Sequence, residues 1–182
     1  MSETISRRKW LYVGAAGVAV LAGAGLGAAR WSASGQTQEA DAKALAQLWS
    51  LSFDTPTGTK LAMQSFRGKA LLLNFWATWC PPCVDELPML NRVYSEGQGL
   101  QIVGIAVDQL APVQTFLKRL PLAFPVAIAN MDGLVLSKAL GNQAGGLPFS
   151  VLIGGSGADA TVLARKIGRL SPEDLARWGK LG

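Results

Sequence analysis

An almost uninterrupted apolar run covers residues 70–76, where Asn74 is the one polar position. Such a run, without alternation of polar and apolar residues, predicts a strand that is buried on both faces, as in the centre of a sheet covered by helices. Prolines follow at positions 81 and 82, and the first turn of a helix tolerates proline because its N–H groups have no intrahelical partner. The pattern therefore predicts a central strand that runs directly into a helix.

Further apolar groups predict the rest of a sheet and its helices. Four apolar residues between Val113 and Leu120 stand at i, i+3, i+4 and i+7, the spacing of an amphipathic helix. A serine and a proline at 171–172, followed by two acids, predict a capped helix start. The predicted strands are 70–76, 101–107, 126–129, 149–153 and 162–167, and the predicted helices begin at 81, 112, 134 and 171. This order predicts an α/β fold with a central mixed β-sheet flanked by helices.

The N-terminal region has a different pattern. Residues 10–29 form an uncharged stretch of 20 residues, and at about 1.5 Å per residue a helix of that length reaches across the ~30 Å bilayer core. Its many glycines and alanines favour an exported signal, whereas the loosely formed cleavage site at 32–34 favours an uncleaved anchor. We expect an N-terminal hydrophobic leader helix in a signal peptide or signal-anchor over residues 1–34, a linker over 35–47 and a folded domain over 48–182.

Composition and charge narrow the classes of function. The chain has 182 residues, of which 49% are hydrophobic, and this is enough for one domain with its own core plus an appendage. The formal charge of +5 is unevenly placed, because residues 1–34 hold four basic residues against one acid. Since the basicity belongs mostly to the leader, we expect no nucleic-acid partner.

Cys80 and Cys83 are the only cysteines, and the chain has no histidine. A structural zinc site needs four nitrogen or sulfur ligands, more than this pair supplies, and a disulfide closing a four-residue ring stabilises a fold by only roughly 2 kcal/mol. The spacing suits a redox-active dithiol. Cys80 stands at the predicted helix N-terminus, whose dipole and free N–H groups stabilise a thiolate, so we expect Cys80 to be the nucleophile and Cys83 the resolving cysteine.

The segment from Asn74 to Pro88 resembles the active-site segment of thioredoxin-fold proteins of the TlpA/ResA/CcmG type, and the similarity extends over residues 48–182. It includes Gly146-Leu147-Pro148-Phe149-Ser150. The resemblance implies a thioredoxin-like fold and a membrane-tethered, extracytoplasmic thiol-disulfide oxidoreductase, with no cofactor or metal beyond a redox-active Cys80–Cys83 disulfide. It also implies that the Leu147–Pro148 bond is cis and faces the dithiol.

Substrate contacts are expected on both sides of the dithiol. Trp79, Pro81 and Pro82 adjoin the cysteines in the sequence. The resemblance places Pro148 opposite them, with the backbone of Leu147 offered to the substrate strand. We therefore assign substrate binding to these five residues.

Glu86 follows Cys83 by three residues, so a helix brings both to one face. A carboxyl group there can carry a proton to or from a cysteine, particularly if burial raises its pKa. Asp85 better fits a solvated helix acid, and the family pattern favours Glu86 as the functional one. Asn74 departs from cytosolic thioredoxin, which has a buried aspartate there; because an amide cannot carry a proton, Glu86 becomes the catalytic candidate.

These features predict a reductant of protein disulfides at the cytoplasmic membrane, with its domain facing the periplasm. The resemblance implies apocytochrome c among the client proteins and a membrane electron donor of the DsbD/CcdA type. An uncleaved leader would hold the chain in the membrane, whereas cleavage would give a soluble periplasmic protein. Residues 6–9 resemble a twin-arginine export signal. The direction of electron flow stays open at this stage.

Two alternatives use the same cysteines. A peroxiredoxin-like peroxidase uses P-x-x-x-T-x-x-C, but Leu73 and Ala77 stand where proline and threonine are required. A copper-binding thioredoxin-fold protein would have a wider cysteine spacing and a distant histidine, although two thiolates suffice to bind Cu(I). Peroxide kinetics and metal titration discriminate these alternatives from the disulfide reductase.

Overall fold

The computed structural model describes residues 36–97, 99–155 and 159–181. Residues 41–182 form one compact unit, and the described part of the preceding unit, residues 36–40, is helical. The predicted leader over 1–34 lies outside the described residues. Among the residues that are described, none of the helices combines the length and the apolar character needed to cross a membrane.

The described residues contain seven strands and five α-helices. The strands are β1 (Ser52–Asp54), β2 (Lys60–Ala62), β3 (Leu71–Trp76), β4 (Gln101–Ala106), β5 (Val126–Ile128), β6 (Phe149–Gly154) and β7 (Thr161–Ile167). The helices are α1 (residues 36–50), α2 (Pro81–Ser95), α3 (Leu110–Arg119), α4 (Asn130–Ala139) and α5 (Pro172–Trp178), with a short 3-10 helix at Met63–Phe66.

One mixed sheet holds these seven described strands in the order β2-β1-β5-β4-β3-β6-β7. The six residues of β3 are all buried, and the strand pairs parallel with β4 and antiparallel with β6. This confirms the predicted central strand and the thioredoxin-like fold with a mixed sheet flanked by helices.

Alternate residues of β3 face two separate hydrophobic layers, because successive side chains of a strand point to opposite faces. Leu71, Leu73 and Phe75 pack in a core that includes residues of α1 and α4. Leu72 and Trp76 pack in a second core with residues of α2, α3 and α5. Asn74 belongs by this alternation to the second face, so its amide lies beneath the helix that carries the cysteines.

Residues 41–50 are part of α1, and here the structure differs from the linker predicted over 35–47. Ala44, Leu45, Leu48 and Trp49 are buried in the first core. They stand at i, i+1, i+4 and i+5, which gives a helix one apolar stripe. The mixed alanine and glutamine composition of this segment concealed that stripe, so residues 41–47 belong to the packed unit.

Helix α4 begins at Asn130 rather than at the predicted residue 134. Its first turn contains Gly133, where a side-chain carbon would lie 2.9 Å from the Ala129 Cβ and 3.2 Å from the Val107 Cγ2. The glycine therefore allows the helix to pack closely against the end of β4. Since glycine lowers helix propensity, the sequence pattern alone placed the helix start too late.

Candidate active site

The dithiol lies where β3 passes into α2. Cys80 is the N-cap residue of α2, and Pro81 and Pro82 occupy its first two positions. Cys80 and Cys83 are joined by a disulfide with a Cα–Cα distance of 5.3 Å. The backbone N–H of Cys83 donates to the Cys80 carbonyl at 3.0 Å. The helix start therefore brings both sulfurs together at the end of the dipole that stabilises an anion.

Burial distinguishes the residues around the disulfide. Cys83 is fully buried, Cys80 is 5% exposed, and Trp79 is 66% exposed. Pro81 and Pro82 are also exposed. The more accessible cysteine is thus the one predicted to be the nucleophile, and an aromatic side chain stands beside it in solvent.

The segment before Cys80 is held by Asp108, which follows β4. One oxygen of this carboxylate, Oδ2, accepts from the Thr78 backbone N–H at 3.0 Å and from the Thr78 hydroxyl at 2.5 Å. The other oxygen accepts from the Gln109 N–H at 2.8 Å. This role of Asp108 was not predicted from the sequence. An acid directly after a buried strand next to the cysteine strand was the available signal.

The Leu147–Pro148 peptide bond is cis, as predicted. Pro148 is buried and Leu147 is half-buried. The Pro148 carbonyl accepts from the Gly168 N–H at 2.8 Å, and the Asn142 amide donates to the Gly146 carbonyl at 2.9 Å. These bonds fix the loop on both sides of the proline.

A groove of about 480 Å³ brings the two predicted substrate-contact regions together. Trp79 and Leu147 both line it, with Met131 and Leu134 of α4 and Val107 contributing further apolar surface. Met131 is largely exposed. The contribution of Met131 was not predicted from the sequence, because the predicted start of α4 lay beyond this residue.

Glu86 lies on the buried side of α2 with 1% of its surface exposed. Its Oε1 accepts from the Asn74 amide at 2.6 Å, and its Oε2 accepts from the Leu170 backbone N–H at 2.8 Å. Burial raises the pKa of Glu86, and the hydrogen bonds from Leu170 and Asn74 oppose this rise without cancelling it. A buried carboxyl whose pKa is raised can exchange a proton closer to neutral pH than an exposed one.

Two cations also act on this carboxyl, since the charges of Arg169 and Lys166 both lower the pKa of Glu86. Lys166 forms an ion pair with Asp174 of α5, and Arg169 forms a longer ion pair, 3.4 Å, with Asp85. Within the described ranges, no three Cys, Asp or Glu side chains are grouped as a metal ion would require.

Comparison with known proteins assigns this arrangement to a family, since residues 42–153 match AhpC/TSA. The chain belongs to the AhpC/TSA family. A ResA thiol-disulfide oxidoreductase of Bacillus cereus is 35% identical over 121 residues, which are 65% of this chain and 66% of that protein. The ResA of Bacillus thuringiensis (strain Al Hakam) is 33% identical over 126 residues, 68% of this chain and 69% of that protein.

A solved structure of a thiol:disulfide interchange protein is also similar to this chain. The thiol:disulfide interchange protein of the thioredoxin family from Chlorobium tepidum TLS aligns with a TM-score of 0.62 at 32% identity, covering 72% of this chain and 92% of that one. The alignments to the two ResA proteins span about two thirds of their length. The predicted ResA-like grouping and the enzyme class, thiol-disulfide oxidoreductase, are thereby confirmed.

Proposed function

We propose that this oxidoreductase reduces disulfides of client proteins outside the cytoplasm through Cys80 and Cys83. One observation carries the proposal: the Cys80–Cys83 disulfide at the start of α2 adjoins an open apolar groove and the exposed Trp79. A polypeptide can lie in such a groove with its own disulfide next to Cys80. A small-molecule oxidant would not need an open apolar groove beside the disulfide.

The exchange proceeds in two steps. The Cys80 thiolate attacks one sulfur of the client disulfide, an enzyme–client disulfide forms, and the other client sulfur leaves as a thiolate. The Cys83 thiolate then attacks the Cys80 sulfur, the enzyme disulfide forms, and the second client sulfur leaves with its electron pair. Two electrons pass to the client, and its two sulfurs end as thiols.

The oxidised enzyme must be reduced again for another turnover. Outside the cytoplasm the cytosolic glutathione and thioredoxin pools are out of reach, so a membrane donor of the DsbD/CcdA type supplies the electrons. Apocytochrome c is the client class that we propose, with a role in cytochrome c maturation. The N-terminal segment, uncleaved, holds the domain at the cytoplasmic membrane on its periplasmic side.

Insulin, whose interchain disulfides give turbidity when reduced, tests the activity. We expect the dithiol form to accelerate insulin reduction and both C80S and C83S to fall to the uncatalysed rate. C83S should still form a stable mixed disulfide with a client, whereas C80S should form none, because Cys83 is fully buried. Full insulin reduction by both serine variants would contradict the mechanism.

The direction of electron flow is tested by the reduction potential of the dithiol in glutathione buffers, followed by tryptophan fluorescence. A value of about −270 to −220 mV is expected for a reductant with its own donor. A value of about −120 mV is that of a strong oxidant and would reverse the proposed direction. Rapid oxidation of Cys80 by hydrogen peroxide in stopped flow would instead support the peroxidase alternative.

A further inference from the structure

A row of polar side chains crosses the sheet beneath α2. Asn74 of β3 pairs in register with Ser150 of β6, and Ser150 pairs with Lys166 of β7. Asn74 and Ser150 are fully buried, whereas the Lys166 side chain is 34% exposed. Directly paired residues share a face of the sheet, so the row extends from the buried Glu86 carboxyl towards the surface.

The two ends of the Asn74 amide have different surroundings. Its Nδ2 donates both hydrogens, one to the Glu86 Oε1 at 2.6 Å and one to the Ser150 Oγ at 3.0 Å. Its Oδ1 is buried and has no hydrogen-bond partner among the described residues. Because the Glu86 Oε2 also accepts a hydrogen bond, from Leu170, this arrangement suits the ionised carboxylate.

A 180° rotation of the Asn74 side-chain amide about its Cβ–Cγ bond exchanges the positions of the donor Nδ2 and the acceptor Oδ1, with almost no change in the shape of the side chain. The Oδ1 would then occupy the place of Nδ2, where it can accept from a protonated Glu86 Oε1. A serine hydroxyl can donate as well as accept, so Ser150 can donate to the same Oδ1. The Asn74 amide can thus hydrogen-bond the protonated Glu86 carboxyl from the same position in which it hydrogen-bonds the carboxylate.

We propose that Asn74 is a positioning residue that hydrogen-bonds Glu86 in both protonation states, its amide turning over together with the Ser150 hydroxyl when the carboxyl gains or loses a proton. An aspartate at position 74 would repel the carboxylate, and a leucine would leave either form without this partner. An amide keeps Glu86 in one place while its charge changes.

This rotation of the Asn74 amide deepens the proposed function and rests on it. The rotation serves the step of the proposed exchange in which Cys83 is deprotonated. As the Cys83 sulfur attacks the Cys80 sulfur, the client thiolate leaves with the electron pair. The Glu86 carboxylate takes the proton that Cys83 releases, and the amide turns to accept from the new O–H group.

The charged groups near Glu86 come from three elements. Lys166 and Arg169, on and after β7, favour the carboxylate; Asp174 of α5 pairs with Lys166, and Asp85 of α2 pairs with Arg169. Burial outweighs both cations and raises the pKa of Glu86. The protonated form is therefore accessible despite the nearby cations.

Nuclear magnetic resonance of the full oxidised chain in detergent micelles tests the rotation. Titration from about pH 4 to about pH 9 covers ordinary and burial-raised glutamate pKa values. We expect the Glu86 carboxyl carbon and the Asn74 side-chain NH₂ resonances to shift with one common midpoint. Asn142 is the internal control: it is also fully buried with an unpartnered Oδ1, but its amide donates to the Gly146 carbonyl, which does not titrate.

An Asn74 NH₂ signal that stays constant through the Glu86 midpoint would overturn the proposal, as would an Asn142 signal that shifts equally. A Glu86 carboxyl that does not titrate in this range would also overturn it. No client or electron donor is present in the measurement. A negative result therefore leaves the proposed disulfide reduction to be decided separately by the insulin assay.

Two matched variants add a second measurement. N74L should raise the Glu86 titration midpoint by about one pH unit, because the carboxylate loses a charge-assisted hydrogen bond. N142L removes the other buried asparagine and should leave that midpoint unchanged. Equal midpoint shifts in the two variants would mean that loosening of the fold, rather than loss of the Asn74 amide, is the cause, and would contradict the positioning role.

Discussion

Glu86 combines a charge-bearing side chain with nearly complete burial, since only 1% of its surface is exposed. Water normally stabilises a carboxylate, and here two hydrogen bonds, from Asn74 and Leu170, replace it in part. The pKa of Glu86 therefore stays above its ordinary value. At the scale of one residue, burial of this carboxyl carries a cost in stability at high pH.

Replacement of Glu86 by glutamine makes that cost measurable. A carboxyl whose folded-state pKa is raised contributes stability that is fully present below the unfolded pKa, about 4.3, and is lost as the pH rises through the folded-state pKa. We expect E86Q to be more stable relative to wild type at pH 8 than at pH 4. The measurement is denaturant unfolding of the oxidised proteins, and the quantity compared is the unfolding free energy of E86Q minus that of wild type. An identical difference at both pH values would contradict the raised pKa.

Asp108 is a second residue whose role follows from its contacts. D108A leaves the Thr78 and Gln109 N–H donors without their carboxylate, so unfolding free energy should fall by about 1–3 kcal/mol and insulin reduction should slow as the segment before Cys80 loosens. D85A is the control, because it breaks only the exposed pair with Arg169 and should cost less than about 1 kcal/mol. Equal losses in the two variants would argue against the role of Asp108.

At the scale of elements, α5 closes the second core beside the polar row. Ser171 and Asp174 form a capping box, in which the Ser171 hydroxyl accepts from the Asp174 N–H and the Asp174 carboxylate accepts from the Ser171 N–H. This confirms the helix start predicted at 171. Leu175 and Trp178 of the same helix are buried in the second core, so the cap fixes the helix that covers Lys166 and Leu170.

The capping box should show a pH signature. The Lys166 hydrogen bond, aided by the Ser171 N–H, lowers the pKa of Asp174 to about 2. Stability from such a carboxylate is present above the unfolded pKa, about 3.9, and is lost as the pH falls through about 2. D174N should therefore lose about 1 kcal/mol of unfolding free energy at pH 6, with the difference shrinking towards pH 2.

S171A provides the comparison for D174N, because it removes the neutral half of the same capping box. Loss of the serine hydroxyl should cost about 1 kcal/mol, with a weaker dependence on pH than in D174N, because the Ser171 hydroxyl is a lesser cause than Lys166 of the lowered pKa of Asp174. Both variants can be followed by denaturant unfolding of the oxidised protein. A D174N deficit that persists unchanged at pH 2 would contradict the electrostatic explanation.

At the scale of the whole molecule, the site belongs to the compact unit of residues 41–182. Both cysteines, Glu86 and Pro148 lie within it. A chain that begins at residue 36 should therefore remain soluble and reduce insulin within about twofold of the full-length rate, whereas the full-length chain should sediment with membranes in alkaline carbonate. Full-length chain released by carbonate would contradict the proposed anchor, and an inactive shortened chain would contradict the independence of the unit.

Local sequence patterns were sufficient to predict the helices and strands that are long or that begin with a clear proline or capping residue. Three such signals are the apolar run of β3, the prolines at the start of α2 and the serine that caps α5. Each acts on residues that are close in the chain, so the residue types alone predict the element. The three-residue strands β1 and β2 were missed, because Phe53 is their one buried residue and so short a segment has no readable period. Helix α1 was missed because its stripe is built largely from alanine and leucine within a polar segment.

Residue types and their spacing were enough to identify the redox chemistry, since two cysteines at a helix start and the absence of histidine restrict what the chain can do. Helical spacing also predicted that Glu86 shares a face of α2 with Cys83, and both residues are buried there. The surroundings of those groups depend on the folded sheet: Asn74, Ser150 and Lys166 are separated by up to 92 positions and meet through strand register. The pairing of β3 with β6 joins segments that are distant in the chain, so it follows from packing of the whole sheet and not from a local pattern.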